Sequence, residues 1–475
     1  MLDFSKIKKI HFIGIGGSGM IPLVNLVKEK EKNLKISGSD IKDFPLRKNL
    51  EKRGVQIFLN HKKENINTSN LVVYSTAIEK NNIERQEAEK RKILTLHRFE
   101  FLKEILKEKK IIAISGSHGK STTSTMIGYL LLKNNFSPTV YVGAKSKIFP
   151  YGSHWGKGEY AVIETDEHDA SFLKILPYYS VILNIDNDHL DLYGPFKGDF
   201  YQLKNAFKIF AQKTQKNCIL NLDDKYLKNF LKEKKLKEKI ITYSLKNSRA
   251  DLFIKNLKTF PFSQKRNYLT SAELYLKKKK YRLKLKIPSE INVSNTLAVL
   301  TLASLLNIKA NKALKTLSNF PAIKRRFEIY HFKKVIIVDD YAHHPTEIKN
   351  SLKIARNLFP NKRVILVFEP HRFSRIAVLY KDFAKTLKNC DYLFLLEIDS
   401  ANEKNYYGIS SEKILKEILK KKYLSPLKIK LSSYQFLEKE ILKILRKNDV
   451  LIFMGPGKIG SFASLFIKKY THLFN

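Results

Sequence analysis

Two short glycine-rich runs, about a hundred residues apart, constrain the fold of this chain more than any other feature. The first is His11-Phe12-Ile13-Gly14-Ile15-Gly16-Gly17-Ser18-Gly19-Met20. The second is Ser115-Gly116-Ser117-His118-Gly119-Lys120-Ser121-Thr122-Thr123. Each follows an apolar run and leads into a stretch with helical character. A strand that enters a glycine turn and then a helix brings backbone N–H groups up to a phosphate. Two such turns in one chain predict two nucleotide-binding α/β domains.

The rest of the chain keeps the same rhythm. Short apolar runs alternate with amphipathic, lysine-rich stretches, which is the βα pattern of parallel sheets. The strand candidates are 10–15, 71–75, 111–115, 161–164, 181–184, 335–339, 363–368, 392–396 and 449–454. Several end in Gly, Ser, Asp or Glu, where open α/β sheets place their sites. Residues 101–110 read as a linker. Residues 243–286 differ: the alternating pieces 272–276 and 281–285 predict an antiparallel ribbon. A helix is expected from 293 to 306, and a break near Asn319-Phe320-Pro321.

At 475 residues the chain has room for about three domains. A hydrophobic content of 43% excludes wholesale disorder. The two cysteines, Cys218 and Cys390, are too few for a disulfide scaffold and fit a reducing compartment. No apolar run is long enough to span a membrane, and the start of the sequence has no signal-peptide pattern. A cytoplasmic protein is therefore expected. The net charge of +43 invites a nucleic-acid reading. The lysines are spread along the whole chain, as at 232–239 and 277–280, with no RNA-binding aromatic motif or zinc-finger spacing. The expectation is solvated basic faces, no nucleic-acid partner, and a field that attracts anionic substrates.

In the first loop, Gly14, Gly16 and Gly19 fit G-x-G-x-x-G ahead of a helix at 21–27, and Asp40 lies where an acid can meet a ribose hydroxyl. This pattern specifies a diphosphate nucleotide better than it specifies NAD. The second loop has two residues between its glycines where a strict P-loop has four. Its N–H groups can still cradle phosphates, with Lys120 reaching the β- and γ-phosphates and Ser121 available to Mg²⁺. Downstream, Glu164-Thr165-Asp166-Glu167-His168-Asp169 ends an apolar strand with four acids in six residues. Asn184-Ile185-Asp186-Asn187-Asp188-His189-Leu190-Asp191 ends another. Both suit a hard cation.

Further motifs follow in order: Asn292 to Asn295, Arg325-Arg326-Phe327-Glu328, Asp339-Asp340-Tyr341-Ala342-His343-His344-Pro345, and Pro370-His371-Arg372-Phe373-Ser374-Arg375. As an ordered set over nearly the whole chain, these motifs resemble those of the Mur ligase family.

The resemblance implies an α/β protein of three domains. Residues 1–105 would be a Rossmann-like domain for a UDP-sugar, 106–320 a central P-loop ATPase-like domain, and 321–475 a Rossmann-like domain for the amino acid. It implies ATP-dependent ligation of L-alanine to UDP-N-acetylmuramate through an acyl phosphate, in cytoplasmic peptidoglycan precursor synthesis. The alternative is the recycling relative that adds a tripeptide to the same sugar nucleotide. Gly16-Gly17-Ser18-Gly19-Met20 fits the alanine-adding branch better.

By resemblance, Gly14, Gly16, Gly17, Ser18, Gly19, Met20, Asp40, Ser75 and His189 meet the sugar nucleotide. ATP falls to Gly116, Ser117, His118, Gly119, Lys120, Ser121, Thr122, Asn292, Asn295, Arg326 and Asp340. Ser121, Glu164 and His189 would hold Mg²⁺. The catalytic set is Lys120, Arg326, His343, His371 and Arg375. Within it, Arg326 reaches the γ-phosphate, Arg375 pairs with the alanine carboxylate through its guanidinium fork, and His343 or His371 deprotonates the ammonium.

Three positions depart from the family pattern. Ile291 precedes Asn292 where relatives have histidine. Gly455-Pro456-Gly457-Lys458 stands where they have Gly-Ala-Gly-Asp. Phe207, flanked by Lys204 and Lys208, takes the place of a lysine that several relatives carbamylate.

Overall fold

The computed structural model describes residues 4–474 apart from 168–169, 187–195, 197, 234–235, 237–238, 262, 264–268, 322, 402 and 421–427. The chain packs into two units. The first takes Met1–Asp186, Tyr201–Leu252 and Asn295–Leu317. The second takes most of the remainder, including Phe253–Ser294 and Ser318–Asn475.

The first unit opens with a parallel sheet of β1 (Lys9–Ile13), β2 (Lys35–Ser39), β3 (Val55–Phe58), β4 (Leu71–Tyr74) and β5 (Leu94–His97), in the order β3-β2-β1-β4-β5. Ile10, Phe12, Ile13, Val72 and Val73 have no exposed surface, because elements cover both faces of the sheet. Helix Met20–Lys30 starts directly after the first glycine loop and buries Met20 through Val27. The linker expected over 101–110 is corrected. Helix Arg98–Ile105 occupies its first half, started by a capping box between His97 and Glu100. Phe101, Leu102, Ile105 and Leu106 are buried, so the charged residues hide a continuous apolar face.

The same unit carries β6 (Lys110–Ser115), β7 (Thr139–Tyr141), β8 (Ser153–His154), β9 (Tyr160–Glu164), β10 (Tyr179–Ile182), β11 (Asn217–Asn221) and β12 (Ile240–Ser244). They lie side by side as β12-β11-β10-β6-β9-β7-β8. Helix Lys120–Lys133 begins with the lysine of the second loop. Phe207 is fully buried against Phe172, with ring centroids 5.4 Å apart. Lys204 rests on the Tyr226 ring, and Lys208 pairs with Glu233 at 2.8 Å.

Polar contacts join the two sheets of this unit. Tyr141 OH donates to Gly19 O at 2.9 Å, and Asn25 Nδ2 to Ser153 Oγ at 2.9 Å. The N–H of Trp155 donates to Glu29 at 2.7 Å. The Trp155 ring lies under Lys30 and Lys109, at 5.5 and 5.2 Å.

In the second unit, β13 (Leu252–Thr259) leads to the antiparallel ribbon of β14 (Thr270–Leu276) and β15 (Lys279–Leu285), as the alternating sequence predicts. The C-terminal part holds β16 (Glu328–His331), β17 (Ile336–Asp340), β18 (Val364–Phe368), β19 (Tyr392–Leu395), β20 (Lys428–Leu431) and β21 (Val450–Met454), in the order β16-β17-β21-β18-β19-β20. Only β16 runs antiparallel to its neighbour. Alternate residues feed two cores: Val338, Leu366 and Ile452 on one face, Ile337, Ile365 and Leu451 on the other.

Each expected strand exists, with ends displaced by one or two residues. The clearest shift is 181–184, where pairing covers Tyr179–Ile182 and the last two residues form a loop. The sequence does not announce β2, β5, β11 or β12, which contain Gly, Ser, Thr or Asn, nor the four-residue β3, which contains Gln56. Among the described residues no helix is long and apolar enough to cross a membrane.

Candidate active site

At the first loop, the N–H groups of Gly14 and Ile15 both donate to Ser39 O, at 2.8 and 3.0 Å. The N–H of Gly16 donates to Asp40 Oδ2 at 2.9 Å. The end of β2 therefore fixes the loop, and Asp40 spends one oxygen on the loop itself. Ser75, at the end of β4, lies against Gly14. Ser18 is exposed, whereas the Met20 side chain points into the core with 1% exposure and so lines the packing instead of the loop's outer face.

Two residues at this loop were not anticipated. Arg98 occupies the space that a Cβ on Gly19 would need, and Tyr141 OH lies 3.1 Å from the same point. Only glycine fits there. Arg98 Nε donates to Thr76 Oγ1 at 3.1 Å.

Below the loop, Glu84 is wholly buried. Ser39 Oγ donates to it at 2.5 Å and Asn65 Nδ2 at 2.6 Å, and His61 Nδ1 lies at 2.9 Å. His11 Nε2 stands 3.6 Å from the other carboxylate oxygen. Burial opposes ionisation, yet the surrounding histidines and Ser39 hold the Glu84 carboxyl down at about 2.

The second loop turns at Gly119, whose φ of +86° is left-handed. Lys120 Nζ donates to both oxygens of Glu167, at 3.0 and 2.9 Å. Burial disfavours the ammonium, but Glu167 and Asp166 overcome it and raise its pKa above the ordinary value. Burial also raises the Glu167 carboxyl, against the pull of Lys120. Glu167 belongs to the acidic run that the sequence singles out, but its pairing with Lys120 is not legible there. Ser121 Oγ donates to Glu164 Oε1 at 2.7 Å, and the other oxygen accepts the Gly143 N–H at 2.7 Å.

His118 Nε2 sits 3.0 Å from Asp186 Oδ2, and the His118 N–H donates to Asn184 Oδ1 at 2.8 Å. Ser117 Oγ accepts the Asp186 N–H at 2.9 Å. Gly116 follows β6, and Thr122 is buried in the first helical turn. His189 lies outside the described residues.

The loop suits a nucleoside triphosphate. Asn295 is 3% exposed, its Oδ1 is 2.6 Å from where a Gly119 Cβ would stand, and its Nδ2 is buried without a hydrogen-bond partner among the described residues. An orphaned buried donor beside a phosphate loop fits an acceptor on a ligand. The Ser121 hydroxyl and Glu164 carboxylate form a hard oxygen pair suited to Mg²⁺. Asn292 instead braces its own helix start, with Nδ2 donating to Pro288 O at 2.9 Å.

The second unit holds the remaining candidates. Asp340, at the end of β17, is 4% exposed and accepts from Ser351 Oγ and, at 3.3 Å, from the Ala342 N–H. Burial raises its pKa. Its carboxylate is thus engaged by its own loop and by Ser351 on helix Pro345–Leu358. The guanidinium of Arg326 lies over the Tyr341 ring at 5.1 Å. Arg325 acts as a brace, with Nε to Asp339 Oδ1 at 3.2 Å and Nη2 to Gly455 O at 2.5 Å.

His343 and His371 are neighbours, with ring centroids 6.1 Å apart. His343 Nδ1 lies 3.0 Å from Tyr341 O. Arg375 is 7% exposed, with Nη1 3.4 Å from His371 O. Burial and the adjacent His343 and Arg375 push His371 down to about 3.

Known proteins show the same organisation. Residues 9–110 match the model described as Mur ligase family, catalytic domain, 114–303 the Mur ligase middle domain, and 325–457 the Mur ligase, glutamate ligase domain. The chain is 37% identical over 467 residues to UDP-N-acetylmuramate–L-alanine ligase of Aquifex aeolicus, covering 98% of each. It is 35% identical over 465 residues to the enzyme of that name from a Sulfurihydrogenibium species, again covering 98% of each. Among solved structures, UDP-N-acetylmuramate-alanine ligase from Thermotoga maritima superposes with a TM-score of 0.81 at 27% identity, covering 98% of this chain and 99% of that one. A murein peptide ligase from Psychrobacter arcticus shares the fold, with a TM-score of 0.69 at 20% identity, over 97% and 98% of the two chains. With its two glycine loops, its three matched domains and full-length relatives above 30% identity, this chain belongs to the Mur ligase family.

Proposed function

We propose that this protein joins L-alanine to UDP-N-acetylmuramate at the expense of ATP, in the synthesis of peptidoglycan precursors in the cytoplasm. Full-length similarity to ligases named for this reaction supports the choice of substrates. The observation that carries the ATP-dependent chemistry is the second loop, where Lys120 and Ser121 each meet a carboxylate beside the orphaned amide of Asn295. The domains divide at residues 105/106 and 320/321. Their partners are the sugar nucleotide, ATP with Mg²⁺, and the amino acid.

A carboxylate is a poor acyl donor until ATP phosphorylates it. Lys120, kept protonated, neutralises charge on the phosphoryl group, a role shared by Arg326. Mg²⁺ at Ser121 and Glu164 would supply further charge neutralisation at the phosphates. Arg375 holds the alanine carboxylate. His343 takes the proton from the ammonium, since His371 is too weak a base to share the task. Water must be kept out, because an acyl phosphate hydrolyses.

The test is ATP consumption with UDP-N-acetylmuramate and a panel of L-alanine, glycine, L-serine and the muramyl tripeptide. Turnover with L-alanine is expected. Turnover with the tripeptide alone would move the chain to the recycling branch.

A further inference from the structure

The first glycine loop supplies backbone N–H groups, but Gly14, Ile15 and Gly16 spend theirs on Ser39 and Asp40. Asp40 is itself an anion, so the loop needs positive charge from elsewhere to hold a diphosphate. Helix Arg98–Ile105 starts directly after β5 and puts one guanidinium at this place. Its Nε is pinned by the Thr76 hydroxyl, which also meets His97 Nε2 at 3.2 Å. The guanidinium carbon lies 4.4 Å from the centre of the Phe99 ring. Anchored at Nε and packed on a ring, the side chain gives up little entropy when its terminal nitrogens engage a ligand. They stand against Gly19, the last residue before helix Met20–Lys30. The absent Cβ at Gly19 makes the approach possible.

We infer that Arg98 is a binding residue for the diphosphate of the sugar nucleotide, acting through its terminal nitrogens while Thr76 holds its orientation. The inference rests on the proposed UDP-sugar substrate and adds the group that recognises the phosphates as opposed to the uracil. A planar fork pairs with two phosphate oxygens at once, which an ammonium cannot do.

The experiment measures binding of UDP and of uridine to the full-length protein by calorimetry, together with the KM for UDP-N-acetylmuramate. Arg98→Ala is expected to weaken UDP and raise that KM by roughly 10- to 100-fold, the range for charge-assisted hydrogen bonds. Uridine binding and the KM for ATP should stay within about twofold of wild type, an allowance for ordinary indirect effects. Arg98→Lys should recover UDP binding only in part, and Thr76→Val should weaken UDP less than Arg98→Ala does. Equal weakening of UDP and uridine would make Arg98 a prop for the loop and overturn the inference, as would unchanged UDP binding. Failure of the substrate reading looks different: wild-type protein would then not turn over UDP-N-acetylmuramate at all.

Discussion

Lys120 and Arg375 are charged residues at opposite ends of the proposed reaction. Lys120→Ala should abolish ligation while leaving UDP-N-acetylmuramate binding intact, because the two glycine loops are separate structures. Single-turnover assays and calorimetry on the same variant check both halves. Arg375→Ala should mainly raise the KM for L-alanine, because pairing a carboxylate that does not react is uniform binding. Arg375→Lys should rescue poorly. If the alanine KM stayed unchanged, Arg372 would become the better candidate; Arg372 lies 3.9 Å from Glu403.

His371 gives a pH prediction. With a folded value of about 3, it is neutral across the working range. His371→Asn should leave the acid limb of the kcat/KM profile for L-alanine in place. Disappearance of that limb in the variant would restore His371 as the proton acceptor. The sequence singled out both histidines but could not show the burial and neighbouring cations that depress His371.

Among elements, the end of β2 matters most, since the first loop hangs from Ser39 and Asp40 and helix Ile83–Lys90 clamps Ser39 through Glu84. Replacing Glu84 with alanine leaves buried donors without an acceptor, at a cost of about 1–3 kcal/mol per donor. The Glu84 carboxyl is depressed in the folded state, from 4.5 to about 2. Its contribution is therefore complete above about pH 4.5 and is lost as pH falls toward about 2. Thermal melts of wild type and Glu84→Gln should differ at neutral pH and converge through that window. A constant difference down to pH 2 would mean that the charge is not what stabilises.

How much of this was readable depends on distance along the chain. The glycine loops, the strands feeding them and the β14–β15 ribbon are local patterns, so the sequence shows them. Helix Arg98–Ile105 looked like a linker because lysines and glutamates mask its apolar face. Arg98 meeting Gly19, Glu84 meeting Ser39 and Glu167 meeting Lys120 are products of sheet order, which no local spacing reveals. The burial of the Met20 side chain is also not legible there, because being next to a loop does not decide which way a side chain points.

For the molecule as a whole, the net charge of +43 acts at long range. The proposed substrates ATP and UDP-N-acetylmuramate are anions, whereas L-alanine is a zwitterion. Raising salt shortens the Debye length from about 10 Å at 0.1 M to about 3 Å at 1 M. The KM values for ATP and the sugar nucleotide should therefore rise with ionic strength while that for L-alanine stays nearly flat. Parallel shifts in all three would point to a general salt effect. UDP-N-acetylmuramate should also raise the melting temperature and NAD should not, because only a ligand bound by the folded state shifts the unfolding equilibrium.

The seam between the two sheets of the first unit has an optical consequence. The chain has one tryptophan, Trp155, whose N–H is bonded to Glu29 and whose indole lies under Lys30 and Lys109. Its emission therefore comes from a single known place, with one lysine from each side of the seam above the ring. Any rotation of the β1–β5 sheet against the β6–β12 sheet changes the charge over that indole, and with it the colour and yield of the fluorescence. The protein thus carries a built-in reporter of domain movement, readable in a stopped-flow cuvette without a label.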